Sequence, residues 1–238
     1  KYFTSFHNLN GAAFQNCSKL YTINLSNLLT FEYASFLGCS SLNEIRISTE
    51  VTTIVDNQVF AKCSSVTSAS GFGNVTYIGT TAFQYCSKLI SIDITNKCKT
   101  INSYAFCGCT KLSIIDLSGV EIIGQQSFLQ CYYLTSISLD SIISINGERS
   151  FQQCTSLTSV TIGNKCQKID DISFVDCKSL VYIKILAETA PTLGGTSDLN
   201  YTNNCSIYVP DAFVDTYKTA TNWSAFASRI KSLSSFTE

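Results

Sequence analysis

Apolar residues in this chain return in two interleaved rhythms, one of three and one of two, and the combination itself repeats. In the stretch from Ala105 to Leu117, AFCGCTKLSIIDL, Phe106, Cys109 and Leu112 lie three apart, while Ile115 and Leu117 lie two apart around the polar Asp116. The first spacing predicts one inward side of a tight helical or 3₁₀ turn. The second predicts a short strand buried on one face. Leu112 has the wrong parity to share that strand face, so a corner is expected between Leu112 and Ile115.

The unit small-F-x-x-C-x-x-L-x-x-I-x-[IL] recurs along the chain. Its phenylalanines are Phe14, Phe36, Phe60, Phe83, Phe106, Phe128, Phe151 and Phe174, in steps of 22, 24, 23, 23, 22, 23 and 23 residues. A fixed short period over eight units predicts a solenoid, because one coil cannot bury these side chains alone while stacked coils share a core. A further apolar column, Phe31, Ile54, Ile78, Ile101, Ile123, Ile145 and Ile169, precedes each Phe by five or six residues. The residue just before the ring is almost always small, as in Ala13, Ser35, Ala82, Ala105, Ser127, Ser150 and Ser173. Close stacking of successive coils demands such a pairing of small with large.

The fold expected is therefore an α/β repeat solenoid: a right-handed coil with a parallel strand ladder on one face and short helical or 3₁₀ turns on the other. Residues 1–185 form about eight repeat units, with the N-terminal end truncated. Residues 186–238 form an irregular coil and a C-terminal helical cap. Unit three departs from the pattern, since Val66, Ala69, Gly71 and Gly73 stand where a strand is due, and two glycines there predict a bulge or a broken ladder. After the pattern stops at Ile185, Asp211 is placed to cap a helix through Phe213, Val214 and Tyr217, and Asn222 a second through Trp223, Phe226 and Ile230. Trp223 reads as cap core rather than as a ligand platform.

Composition narrows the function classes. Charged residues make up 14% of the 238 and the net charge is −1, so nothing electrostatic favours nucleic acid as a partner. No apolar run approaches the length of a membrane span. The opening KYFTSFHNLNGAAF, without methionine, reads as the tail of an earlier coil and thus as a fragment or processed form. Eight of the twelve cysteines, Cys17, Cys39, Cys63, Cys86, Cys109, Cys131, Cys154 and Cys177, fall in one column. The spacing suits small buried thiols where anything larger overpacks. A disulfide ladder is the alternative, because coils about 5 Å apart bring such cysteines within bonding range. A linear column with a single histidine, His7, outside it does not converge four ligands on a metal.

The unit A-F-x-x-C-x-x-L-x-x-I-x-I, as in AFQYCSKLISIDI from Ala82 to Ile94, resembles the BspA-like leucine-rich repeats, a cysteine-containing class from bacterial surfaces. The likeness covers residues 12 to 185, and the tail IYVPDAFVDTYK with NWSAFASRI resembles the helical ending of such proteins. It departs from the commoner leucine-rich repeat, since Lys97, Val120 and Ile142 stand where that class has asparagine. The resemblance implies an extracellular or cell-surface protein engaged in adhesion or recognition. It implies as partner a host or neighbouring-cell surface protein, or a glycan, and it supplies no catalytic residues. It also implies an oxygen-poor habitat in which the cysteines stay thiols.

On a solenoid the outward strand positions of successive coils line one extended face. Most are small and hydroxylated here. Those that stand out as a candidate binding set are Glu44 with Arg46, Asp93 beside Asp116, Asp140, and Tyr182 with Lys184. Like charges directly opposite on a sheet are destabilising, so Asp93 and Asp116 read either as a weak cation or glycan-hydroxyl site or as two solvated carboxylates leaning apart. No nucleophile elbow, zinc helix, phosphate loop or dinucleotide signature occurs, and no cofactor or metal is expected. A structural spacer without its own ligand is the alternative to a recognition module.

Overall fold

The eight phenylalanines that set the period stack ring on ring, with adjacent centroids 5.0 to 5.5 Å apart and planes within 25° of parallel. That separation is close to the roughly 4.8 Å between hydrogen-bonded strands, so one pitch serves both the rings and the backbone ladders. The computed structural model describes residues 9–54, 57–202 and 204–237. His7 lies outside them. From Phe36 to Phe174 every ring of the column is fully buried, and a continuous core runs on past them to Ile230.

The corner after the Leu column leads into the predicted strands in most coils, but not at Ile115–Leu117, where only the neighbouring Ile114 makes a bridge. They form two runs of parallel ladder: Glu44–Arg46, Ser68–Ser70 and Ser91–Ile92 in the first, and Ser136–Leu139, Ser159–Ile162, Tyr182–Ile185, Ser206–Val209 and Ile230–Ser232 in the second. Register is set by the buried column, which pairs Ile137 with Val160, Val160 with Ile183 and Ile183 with Ile207. Unit three keeps its strand, since Ser68–Ser70 pairs on both sides and the glycines act one residue later, where Gly71 takes φ 91° and swings Phe72 into the core. The ladder thins two coils further on, where Ser91 and Ile114 make an isolated bridge.

A second parallel sheet was not anticipated. The apolar column ahead of each Phe forms seven two-residue strands, from Thr53–Ile54 to Thr192–Leu193, with Ile54, Ile78, Ile101, Ile123, Ile145 and Ile169 facing inward.

The Phe turns themselves form a third ladder. Residues two before and two after each ring are left-handed, from Ala12 and Asn16 at φ 58° and 57° to Ile172 and Asp176 at 53° and 61°. Alternate amides consequently point in different directions. Ala13, Gln15 and Cys17 donate three residues back within their coil, as a 3₁₀ turn does, whereas Ala12, Phe14 and Asn16 donate to Tyr33, Ser35 and Leu37 of the next coil. Non-glycine residues in this region cost about 1 kcal/mol each, offset by inter-coil bonds of 2.7 to 3.3 Å.

The cysteine column bridges the coils. All twelve cysteines are free thiols, and seven donate Sγ–H to the Phe carbonyl of the preceding coil at 3.1 to 3.3 Å, from Cys39 to Phe14 through Cys177 to Phe151. Each such carbonyl also accepts the Cys N–H of its own coil. Burial pushes the Cys39 thiol up to about 11 and the Cys177 thiol up to about 12, so thiolate is scarce at neutral pH.

The last coil is irregular. Leu199 occupies the Phe position and the buried Asp198 the small-residue position, where its Oδ1 accepts the Ser173 N–H at 3.0 Å. The cap holds one α-helix, Val214–Thr219, between 3₁₀ turns at Asp211–Phe213 and Trp223–Arg229. The second helix read from the sequence is thus a 3₁₀ turn that runs into the strand Ile230–Ser232, which adds to the ladder. Neither expected cap forms: Asp211 accepts from Ser234 N instead, and Asn222, at φ 65°, donates to Leu193 O. Trp223 is cap core, its Nε1 donating to Pro191 O at 2.7 Å, and Tyr217 donates to Ala187 O at 2.8 Å. Arg229 closes the end, giving hydrogen bonds to Cys205 O and Thr202 Oγ1.

Eleven cysteines are buried and Cys17 is half-exposed, so a thiol reagent should label one group rapidly in the native protein and twelve in denaturant. In the column, Cys109→Ala should cost about 1 to 2 kcal/mol through lost burial, and Cys109→Leu about 1 to 3 through overpacking, read as shifts of the urea midpoint. Burial also raises the Asp198 carboxyl from 3.8 to about 7, and its Oδ2 has no hydrogen-bond partner among the described residues. The folded state therefore holds a proton that the unfolded chain releases. Stability present below about pH 4 is lost as pH rises through 7, by up to roughly 1.4 kcal/mol per unit. Asp198→Asn should flatten that dependence in thermal melts from pH 4 to 8.

Candidate binding face

Period-two alternation turns every second strand residue outward, and parallel register aligns these residues into rows. Ser136, Ser159, Tyr182 and Ser206 make one row, and Ser138, Thr161, Lys184, Tyr208 and Lys231 the next. In the first ladder Glu44 opposes Ser68 and Arg46 opposes Ser70.

The acidic members of the candidate set are held by their own chain. Glu44 pairs with Arg46 at 3.1 Å, two residues on along one strand and largely exposed, an arrangement worth little in water. Asp93 reaches back one coil and accepts the backbone N–H groups of Gly71 and Phe72 at 2.9 and 2.8 Å. Asp116 turns onto Ser118, accepting from its N at 2.9 Å and its Oγ at 2.6 Å. Asp93 and Asp116 thus bind in different directions, which removes the anomaly of two like charges side by side. Asp140 lies just past the strand Ser136–Leu139 and accepts from Ser138 Oγ at 2.6 Å. Among the described residues no three His, Cys, Asp or Glu side chains converge as a metal site.

Tyr182 and Lys184 are brought together with residues the sequence reading left out. Tyr208 meets Tyr182 edge-on at 6.4 Å, and Phe236 lies over both tyrosines at 4.7 and 5.0 Å. Lys184 Nζ stands 3.5 Å from the Phe236 ring centre, and Lys231 Nζ 5.8 Å from that of Tyr208. The signal for Tyr208 was the alternation in Ser206–Val209, which places it outward like Lys184. Phe236 follows the last strand and has no counterpart in the repeat.

Two parallel ladders, a stacked aromatic column and a rowed outward face define a leucine-rich-repeat solenoid. The chain matches the BspA type leucine rich repeat region, in six copies, over residues 2–113 and 76–194, and it belongs to that family. Among solved structures, a leucine-rich repeat protein of T. pallidum is 22% identical, with a TM-score of 0.58 over 79% of this chain and 85% of that one. One from Bacteroides ovatus is 19% identical, with a TM-score of 0.50 over 95% and 81%. A leucine rich cell surface protein of Faecalibacterium prausnitzii is 20% identical, with a TM-score of 0.44 over 93% and 72%. The first two share the fold. No curated protein matches the chain. Leucine-rich-repeat families are in general non-enzymatic, and no helix among the described residues is long and apolar enough to cross a membrane.

Asp93→Ala should cost about 1 kcal/mol by leaving the Gly71 and Phe72 amides without their carboxylate, whereas Asp116→Ala should leave the urea midpoint nearly unchanged.

Proposed function

We propose that this chain is a non-catalytic recognition module, exposed at the bacterial surface or secreted, that binds a protein through its strand face in an adhesion-type role. Residues 1–185 serve as the recognition solenoid and 186–238 as the cap that closes its end. The observation that carries the reading is the outward row Lys184, Tyr208 and Lys231 with Tyr182 beside it. Aromatic and cationic side chains gather there, next to coils that present only Ser136, Ser138, Ser159 and Thr161. Aromatic anchors amid small hydroxyls suit protein recognition, since they offer contact area at low entropic cost. Membership of the BspA family supports the surface location.

The small hydroxylated rows at Ser136–Thr161 also fit a spacer that holds another domain at a distance. An array of host-surface and matrix proteins and glycans separates the readings. Reproducible binding that Tyr182→Ala reduces at least tenfold supports recognition. Silence across the array supports the spacer.

A further inference from the structure

Phe236 sits on the face to which recognition is assigned. Its ring meets Tyr182 at 67° and Tyr208 at 86°, both edge-on, while the Lys184 ammonium lies over its face at 3.5 Å. These are the arrangements an aromatic quadrupole favours, so two tyrosines and a lysine form a seat shaped for one ring. The segment that delivers the ring is lightly fastened. Leu233–Ser235 is a single 3₁₀ turn with no buried residue, tied by Ser234 N to the exposed Asp211 at 3.0 Å and by Ser235 Oγ to Ser232 O. Phe236 itself is only half-buried.

The charges around the seat are one-sided. Lys184 and Lys231 flank Tyr208 in register, and neither pairs with a carboxylate among the described residues. Asp211, to which that segment is tied, is engaged with Ser234, which also holds its carboxyl below the usual range. On the remainder of the face Asp93, Asp116 and Asp140 are bound within their own chain.

We infer that Tyr182, Lys184 and Tyr208 form a binding pocket for an aromatic side chain next to a carboxylate on a protein partner, and that Phe236 is a resident substitute which the partner displaces. This rests on the recognition reading and names the partner's chemistry. Phe236 supplies the ring contacts, and among the described residues no carboxylate meets the two lysines, so an aromatic residue beside an acid competes with it. The strap lowers apparent affinity by the fraction of time the seat is filled.

The test titrates N-acetyl-Phe-Asp-amide into the whole chain, following the Lys184 and Tyr208 signals by NMR. Phe236→Ala should bind the peptide about tenfold more tightly than the parent, the scale expected for removing a competitor held by two ring contacts and one ammonium. Asp211→Ala, which loosens the strap but keeps the ring, should give a smaller gain, and Phe236→Ala with Tyr208→Ala should lose it. N-acetyl-Phe-Lys-amide should bind more weakly than the acidic peptide. Equal binding by parent, Phe236→Ala and Asp211→Ala overturns the inference, as does a gain that survives loss of Tyr208. Array binding that persists in that case leaves the recognition reading intact. A silent array beside a clear gain for Phe236→Ala keeps the aromatic pocket and removes the protein partner.

Discussion

A single pitch governs the molecule. Stacked phenylalanine rings settle about 5 Å apart, parallel strands need nearly the same separation, and the left-handed Phe turns pass amides across that distance. Because the three demands agree, one rise per coil satisfies the backbone on every side while the core stays continuous. The small residue before each ring belongs to the same constraint. Ser127, Ser150 and Ser173 are fully buried and turn their hydroxyls onto carbonyls three residues back, filling the space without widening the coil.

The thiols fit that pitch for reasons of size and chemistry together. A cysteine is small enough to lie beneath a ring and carries one weak donor, which it gives to the carbonyl of the coil before it. Burial raises these thiols, so the column is a structural element and a poor nucleophile. At the cap the arrangement ends. Thr202 stands in the cysteine position and bonds within its own coil, and Arg229 supplies the donors that another coil would have brought.

What the ladders leave outward differs from one end of the solenoid to the other. Along the first coils the acidic side chains are used by the fold itself: Asp93 holds the turn after unit three, and Asp116 and Asp140 close onto neighbouring serines. Aromatic and cationic side chains collect at the other end, where Tyr182, Lys184, Tyr208 and Lys231 lie in adjoining rows. From Thr53–Ile54 to Thr192–Leu193 the second parallel sheet fastens successive coils, as the Phe turns do, across the coil where the face ladder is interrupted.

The repeat, its columns and the inward residues were legible because burial imposes a period, and a period is a property of the chain read in order. Phe106, Cys109, Leu112 and Leu117 are all buried as their spacing required, although Ile115 is only partly so. The second sheet was visible merely as an isoleucine column, because one apolar residue per two-residue strand carries no alternation to read. The left-handed turns were not legible, since glycine marks only two of these positions, Gly38 and Gly108, while residues such as Ala, Gln, Lys, Arg and Ile hold the others. Asp93 and Asp116 looked like a pair in sequence and are separated by hydrogen bonds that exist only once coils are stacked. Sequence by itself determined the solenoid, its period and which side chains face the core, because those follow from local spacing and hydrophobicity. Only the tertiary structure decided that Phe236 meets Tyr182 and Tyr208, because contacts between residues far apart in the chain depend on how the last coil closes.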